Sequence, residues 1–309
     1  MSLLVGFAPD GRGRAVLHLA GMLARSAGEE LVVCAVVPAP WYPSPAKVDV
    51  EYREYLHRTA QEALGQARSR LPSDLAVTSL VHDARSVPAG LLEVAEQRDA
   101  ALIVVGSSSG GGAGHVTLGS TSSRLLHSSP IPVAVAPRGF RCGPAARVGR
   151  VAAAFDGSDG AQDLVIAAAG VAARVGATLR LASFAVRTRP PYTSGVGTEA
   201  DEAMIADWIA EMEAAGRAAL DKVADLPAVP PRLDAVVGRG ESWEEALEDV
   251  EWDDGDVLVV GSSSTGPLAR VFLGSRSTKI VQHSPIPVVV VPRGAAAELA
   301  DEALSAESP

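Results

Sequence analysis

Cysteine and aromatic residues are scarce in this chain, and their scarcity excludes several kinds of site. Only two of the 309 residues are cysteine, and 4% are aromatic. Neither Cys34 nor Cys142 belongs to a Cys-x-x-Cys or Cys/His spacing, so the sequence predicts no metal site. Cys34 lies inside an apolar run and is predicted to be a buried, reduced thiol.

Long apolar runs and an excess of positive charge are also missing. No apolar stretch approaches the roughly 20 residues of a membrane-spanning helix, and residues 3–8 are too few for a signal peptide. The net charge of -10 disfavours nucleic acid and anionic membranes as partners. We therefore expect a cytoplasmic protein with neither partner. A local phosphate site remains compatible with this charge, because backbone N–H groups can bind phosphate.

What the chain does contain is an internal repeat. Four segments of the first half recur in the second half at one constant spacing. They are Val-Val-Gly-Ser-Ser-Ser at 104–109 and 259–264, Leu-Gly-Ser at 118–120 and 273–275, Ser-Pro-Ile-Pro-Val at 129–133 and 284–288, and Pro-Arg-Gly at 137–139 and 292–294. The front of each copy matches at a slightly shorter spacing, which predicts a short insertion in the second copy within residues 187–231.

Both copies show the same alternation of apolar strands and amphipathic helices. This order predicts an α/β fold with a mainly parallel sheet, and the continuous Val/Ile/Leu runs predict strands covered on both faces. We expect domains at 1–140 and 147–294, followed by a mobile acidic tail at 295–309. The predicted strands are 3–7, 31–37, 76–81, 101–105 and 132–136, then 150–155, 178–186, 233–237, 257–260 and 287–291; the predicted helices include 14–27, 50–70, 161–175 and 199–224, the last with Trp208 in its buried stripe.

In each copy, a strand that ends in glycine is followed by a small-residue loop and then by Gly-Ser at the start of a helix. The spacing is Gly-x2-Ser-x9-Gly-Ser in both, from Gly106 and from Gly261. Glycine allows close approach of the backbone to an anion, and a helix N-terminus offers unpaired N–H groups. Because the carboxyl edge of an open parallel sheet is where ligands bind, the loop predicts a phosphate site there.

At this point the chain resembles the universal stress protein family, whose pattern is Gly-x2-Gly-x9-Gly-Ser/Thr after the fourth strand, then a helix and a Pro-x-Pro-Val strand. The resemblance covers both copies, so the chain looks like a tandem member. It implies two fused domains, each a five-stranded, mainly parallel sheet with helices on both faces. The implied function is that of a stress-response protein and nucleotide-dependent regulator, with no catalytic residues and at most slow, incidental ATP hydrolysis.

The resemblance also implies an adenine-nucleotide site that takes ATP, together with Mg²⁺. Asp156 would lie at the adenosine end, and Phe184 would line the adenine pocket. The remaining implied contacts in the second copy are Val260, Gly261, Ser264, Gly274, Ser275 and Ser277; those of the first copy are Val36, Gly106, Ser109, Gly119, Ser120 and Ser122. A homodimer and an unidentified protein partner complete the expectations.

Two departures from the family pattern leave an alternative open. Ser109 and Ser264 stand where the pattern has its second glycine, and Ala8 stands where the second copy has Asp156. We therefore rank the second site above the first. The alternative is a degenerate, nucleotide-free interaction scaffold; an ATP-consuming transferase or synthetase, a serine hydrolase, a P-loop enzyme and an NAD-binding domain lack their motifs in this sequence.

Overall fold

The structure is a computed structural model that describes residues 1–8, 13–38, 47–108, 114–187, 198–262 and 273–306. These residues form two compact units, which meet in the sequence between Arg147 and Val148. No helix in these ranges combines the length and the apolar character needed to cross a bilayer.

Strands alternate with helices in the first unit, as the sequence predicts. In chain order the elements are β1 (Ser2–Gly6), α1 (Arg14–Ala27), β2 (Glu30–Pro38), α2 (Lys47–Arg70), β3 (Val77–Ala84), α3 (Val87–Gln97), β4 (Ala100–Gly106), α4 (Ser120–Ser128) and β5 (Val133–Ala136). The strands lie in the order β3-β2-β1-β4-β5, and the pairings among them are parallel.

The second unit repeats this plan and adds a helix at its end. Its elements are β6 (Arg150–Ala154), α5 (Gln162–Val175), β7 (Thr178–Val186), α6 (Thr198–Ala224), β8 (Leu233–Gly240), α7 (Trp243–Glu248), β9 (Asp256–Gly261), α8 (Ser275–His283), β10 (Val288–Val291) and α9 (Arg293–Ser305). The strand order is β8-β7-β6-β9-β10, again with parallel pairings.

This strand order explains why helices cover both faces of each sheet. The chain first moves outward from β1 to β2 and β3, then crosses back to β4 and moves on to β5. Because parallel crossovers are right-handed, α1 and α2 lie on one face while α3 and α4 lie on the other. In the second unit α5, α6 and α9 share one face, and α7 and α8 share the other, in agreement with the contacts among these helices. The predicted five-stranded α/β architecture is therefore confirmed for each unit.

Two helices, α1 and α5, end directly before a glycine. The helix predicted at 14–27 has the same bounds in the structure, where Gly28 closes it with φ +71°. Gly176 ends α5 with φ +68°. Only glycine adopts this left-handed conformation without strain, so the helix stops where a residue without Cβ is available.

Two predictions about element boundaries are wrong. β3 and β8 each run three residues beyond the predicted strand ends, because each pairs along its whole length with β2 or β7. The predicted mobile tail is instead the helix α9, in which Ala296, Ala300 and Ala303 are buried. Its alanines fall at i, i+4 and i+7, which places them on one helical face; the acidic residues between them masked this pattern.

Candidate functional site

The direction of the crossovers reverses between β6 and β9 in the second unit. The loops after these two strands therefore leave toward opposite faces and open a crevice at the carboxyl edge, where ligands of open α/β sheets bind. A cavity of about 370 Å³ lies at this edge. Its walls are formed by residues 154–156, 158, 160, 161, 163, 164, 184, 208, 243, 260–262, 276, 277, 280, 291, 293 and 296.

Five of the predicted site residues of the second unit line this cavity. Asp156 follows β6, Phe184 lies near the end of β7, Val260 and Gly261 end β9, and Ser277 belongs to the first turn of α8. Parallel strands bring their carboxyl ends to one edge, so residues far apart in the chain meet there.

Gly274 and Ser275 lie beside the cavity rather than in its wall. Gly274 is the N-cap of α8, and its carbonyl accepts a hydrogen bond from the Thr278 N–H at 2.9 Å. Ser275 is the first residue of the helix, and the next two residues, Arg276 and Ser277, reach the cavity. The predicted Ser264 lies outside the described residues.

Asp156 is held at the rim by a local turn. Its Oδ1 accepts hydrogen bonds from the Ser158 N–H at 3.1 Å and from the Ser158 hydroxyl at 2.6 Å. Gly157 between them has φ +75°, which a residue with Cβ rarely adopts. The turn fixes the carboxylate at the exposed end of β6, where it can meet polar groups of a ligand.

Hydrogen bonds tie the other end of the cavity to the strand ends. The Ser277 hydroxyl donates to the Gly261 carbonyl at 3.1 Å and so links the start of α8 to β9. The Ser262 N–H donates to the Val291 carbonyl at 3.0 Å, and the Ser262 hydroxyl accepts from the Arg293 N–H at 3.2 Å. The loops after β9 and β10 are therefore joined at the cavity edge.

Two arginines and two tryptophans are among the lining residues that were absent from the predicted site. Arg276 and Arg293 contribute positive charge, and Trp208 and Trp243 contribute aromatic surface. Arg293 lies in the repeated Pro-Arg-Gly segment, which was used only to align the copies, and Arg276 directly follows the repeated Leu-Gly-Ser segment, at a position where the first copy has Thr121. Trp208 was assigned to a buried stripe, but it is half-buried in the cavity wall.

Charge and aromatic surface are separated along the sheet edge. Trp208 belongs to α6 and Trp243 to the start of α7, the helices on either side of β8 in the chain. Arg276 follows β9, and Arg293 follows β10, at the other end of the strand order. The cavity also carries the carboxylates of Asp156 and Asp163, so it is not uniformly basic.

The predicted site residues of the first unit occupy the matching places in its fold. Val36 lies near the end of β2, Gly106 ends β4, and Gly119 and Ser120 start α4. Ser122 is buried, with 2% of its surface exposed. The predicted Ser109 lies outside the described residues.

Comparison with known proteins assigns the family. The model of the universal stress protein family matches residues 1–137 and again residues 148–292. Universal stress proteins of Mycobacterium tuberculosis and Mycobacterium bovis are each 37% identical over 296 residues, covering 94% of this chain and all of theirs.

Solved structures agree on the fold. A universal stress protein from Archaeoglobus fulgidus has a TM-score of 0.60 and 19% identity, covering 95% of this chain and 98% of its own. The two family matches fall on the two structural units, and α9 lies beyond the second match. The chain thus belongs to the universal stress protein family and carries two copies of its domain.

Proposed function

We propose that the second unit binds an adenine nucleotide, ATP with Mg²⁺, in the cavity at the carboxyl edge of its sheet. The observation that carries this proposal is the arrangement of the cavity walls. Aromatic surface lies toward β7 and β8, and arginines with a glycine-led helix start lie toward β9 and β10. A purine needs an aromatic or apolar surface, whereas phosphates need cations and N–H donors.

The direction of the bound nucleotide follows from this arrangement. Neighbouring strands are about 4.8 Å apart, so the base and the phosphates would lie over different strands. We place the adenine near Phe184 and Trp243, the ribose near Asp156, and the phosphates near Gly261, Ser275 and Arg276. Mg²⁺ would neutralise part of the phosphate charge, which two arginines alone do not balance in the presence of two carboxylates.

The role that fits this site is regulation by nucleotide occupancy. The cavity wall joins the starts of α8 and α9 to the ends of β9 and β10. A ligand that contacts these elements would stabilise one arrangement of them, which a partner protein or a second copy of the chain could recognise. We place this activity in the cytoplasm, and we propose binding rather than turnover of ATP.

Titration calorimetry of the full-length chain with ATP and Mg²⁺ tests the proposal. Asp156→Ala removes the carboxylate at the adenosine end, and Gly274→Val adds a branched side chain at the phosphate end. Each should weaken ATP binding by about tenfold or more, since hydrogen bonds to charged groups contribute about 1.5–3 kcal/mol.

The exposed Asp221→Asn on α6, which is not in the cavity wall, serves as a control for the loss of one carboxylate. It should bind ATP as the unmodified chain does. Undiminished affinity in both Asp156→Ala and Gly274→Val would refute the site. Absence of any ATP binding by the unmodified chain would favour a nucleotide-free scaffold.

A further inference from the structure

We infer that the first unit closes its own copy of the nucleotide site with its own residues, so that the chain holds one nucleotide and not two. This inference rests on the proposed function of the second unit. It follows from matched positions at which the two copies differ. The structural differences concern the starts of the first and fourth helices, and the hydrogen bonds of the described residues between β4 and α4 add to them.

The first difference is the position of a phenylalanine ring. Phe7 and Phe155 are matched residues that follow β1 and β6. The Phe7 ring packs on Gly13, where a Cβ would lie 2.0 Å from Cε2 of the ring. Phe7 is buried, with 5% of its surface exposed, and Phe155 is buried as well, with 9%, so the two differ in where the ring packs and not in its exposure.

The second unit cannot place its ring in this way. Gly13 is matched by Ala161, and both are N-cap residues with similar backbone angles, φ -68° and ψ 1° against φ -85° and ψ -10°. Since Ala161 carries the Cβ that would collide with the ring, Phe155 lies elsewhere. Phe155 and Ala161 both line the cavity instead. Because Gly13 has no Cβ, the Phe7 ring can pack directly on it in the first unit. In the second unit the matched space belongs to the wall of the cavity.

The space beside the glycines that end β4 and β9 is also smaller in the first unit. A Cβ built on Gly106 would lie 2.7 Å from Cγ2 of Val16. At the matched Gly261 the nearest atom is Cδ2 of Leu164, at 3.3 Å. At this position the Val16 side chain of α1 therefore lies closer to the end of β4 than the Leu164 side chain of α5 lies to the end of β9.

At the start of α4 a side chain engages the backbone of the N-cap glycine. The Ser122 hydroxyl accepts a hydrogen bond from the Gly119 N–H at 2.9 Å and donates to the Gly119 carbonyl at 3.2 Å. Ser277, its match in the second unit, donates to the carbonyl of Gly261 instead. The first unit thus uses a side chain to engage the glycine N–H at the place where a phosphate would otherwise accept it.

Hydrogen bonds also connect the described residues of the loop before α4 to the residues that follow β4 and β5. The Ser108 N–H donates to the Thr117 carbonyl at 2.7 Å, and the Thr117 N–H donates to the Ser107 hydroxyl at 3.2 Å. The Gly114 N–H donates to the Arg138 carbonyl at 3.0 Å. Between them Val116 is buried, with 1% exposed. These bonds occupy the N–H groups of Ser108, Gly114 and Thr117, which follow β4, the strand whose counterpart β9 borders the cavity.

The chemistry of the rim changes together with its shape. Ala8 stands where the second unit has Asp156, so the carboxylate at the end of β6 has no counterpart at the matched position of the first unit. The packing, the hydrogen bonding and the charge of the first unit thus all differ from those of the second unit in a way that disfavours a bound nucleotide. The first unit therefore keeps the family fold without the ligand site.

The test is a stoichiometry measurement on the full-length chain. Equilibrium dialysis with labelled ATP and Mg²⁺, at protein concentrations well above the dissociation constant, should give one ATP per chain. Two matched serine variants then locate it: Ser275→Ala should weaken binding about three- to tenfold, and Ser120→Ala should leave both affinity and stoichiometry as they are. Both hydroxyls are on exposed first residues of their helices, so neither change disturbs a core.

The possible outcomes separate the two claims. Two ATP molecules per chain would overturn the closure of the first unit and leave the proposed function standing. One ATP per chain with a loss in Ser120→Ala and none in Ser275→Ala would also overturn it, because the site would then lie in the first unit. No bound ATP at all would overturn the proposed function itself.

Discussion

Arg276 shows how a repeated motif can conceal the residue that differs within it. It stands between Ser275 and Ser277, where the first copy has Thr121 between two serines. The motif alone gives the position no special role, whereas the structure puts the arginine in the cavity wall beside the start of α8. Its charge is then available to phosphate groups held at the helix N-terminus.

Arg276→Gln should therefore weaken the binding of ATP about tenfold, which corresponds to about 1.4 kcal/mol, and should weaken the binding of AMP less. The physical reason is that the guanidinium acts on phosphate charge, of which AMP carries less. Calorimetric titration of both ligands measures the difference. Lys279→Gln is the matched control, since Lys279 is exposed on the same helix and outside the cavity wall. Equal losses for ATP and AMP would show that Arg276 does not contact the outer phosphates.

Cys34 is a residue whose state follows from the sequence alone. Its apolar neighbours predict a buried thiol, and in the structure it is fully buried in β2. Burial disfavours the thiolate and raises the pKa of Cys34 to about 12. The thiol therefore stays protonated at neutral pH and acts as a small apolar group of the core.

At the scale of elements, the segment after the last strand of each unit covers the first helix of that unit. In the first unit the Cys142 thiol donates to the His18 carbonyl at 3.4 Å, and the Arg147 guanidinium donates to the Arg25 carbonyl at 2.5 Å. In the second unit α9 packs on α5, with Ala303 against Gly170. The two segments differ in sequence and structure but protect the same face.

The contact between α5 and α9 predicts opposite effects for two helical glycines. A Cβ at Gly170 would lie 2.6 Å from Cβ of Ala303, whereas nothing lies within 4 Å of the Cβ position at Gly65 in α2. Gly65→Ala should stabilise its unit by about 0.5–1 kcal/mol through helix propensity. Gly170→Ala gains the same propensity but must displace α9, so it should lower the free energy of unfolding of the second unit.

Urea unfolding followed by circular dichroism measures both changes, and Gly65→Ala is the control for the effect of the methyl group itself. A gain in stability for Gly170→Ala similar to that for Gly65→Ala would show that α9 is not held closely against α5. That result would support the prediction of a mobile tail that was made from the acidic sequence.

At the scale of the whole chain, the second unit has an ion-pair network at the amino ends of its strands, opposite the cavity. Arg180 pairs with Asp234 at 2.8 Å, and Arg150 pairs with Asp253 and, at 3.4 Å, with Asp256. The hydrogen bond to Asp234 raises the pKa of Arg180. Asp256 is almost fully buried, with 2% exposed, and this burial raises the pKa of its carboxyl group above 3.8.

The pH dependence of stability follows from the raised pKa of Asp256. The folded chain holds this proton more tightly than the unfolded chain, so the contribution is favourable at acid pH and is lost as the pH rises from about 3.8 through the folded pKa. Asp256→Asn keeps an oxygen that can accept the Asp253 N–H and removes the charge. The stability of this variant relative to the unmodified chain should therefore increase with pH across this range.

Free energies of unfolding measured between pH 3.5 and neutral pH check this expectation. Asp221→Asn removes a carboxylate from an exposed position on α6 and serves as the control. If the difference between Asp256→Asn and the unmodified chain stays constant over the whole pH range, burial of Asp256 does not shift its titration on folding.

The fold was predictable where local and repeated patterns agree. Strand β7 and helix α1 have the predicted bounds, because apolar runs and a terminal glycine mark them without reference to the rest of the chain. The ends of β3 and β8 were not predictable, since pairing with a neighbouring strand extends them past the apolar run. Likewise, the family resemblance implied Asp156, Phe184 and Gly261, which line the cavity, whereas Trp208 and Trp243 reach it only through the packing of α6 and α7.

The sequence by itself determined that two copies of one α/β domain are joined, that each ends a strand in a glycine-led loop, and that the second copy keeps the acidic residue at its rim. These properties depend on periodicity, spacing and residue type, which a linear chain displays directly. Only the tertiary structure decided that α9 is packed, that arginines and tryptophans share one cavity, and that Phe7 covers Gly13. Each of these depends on which distant side chains come within a few ångströms of each other, and a single Cβ at such a contact changes the outcome.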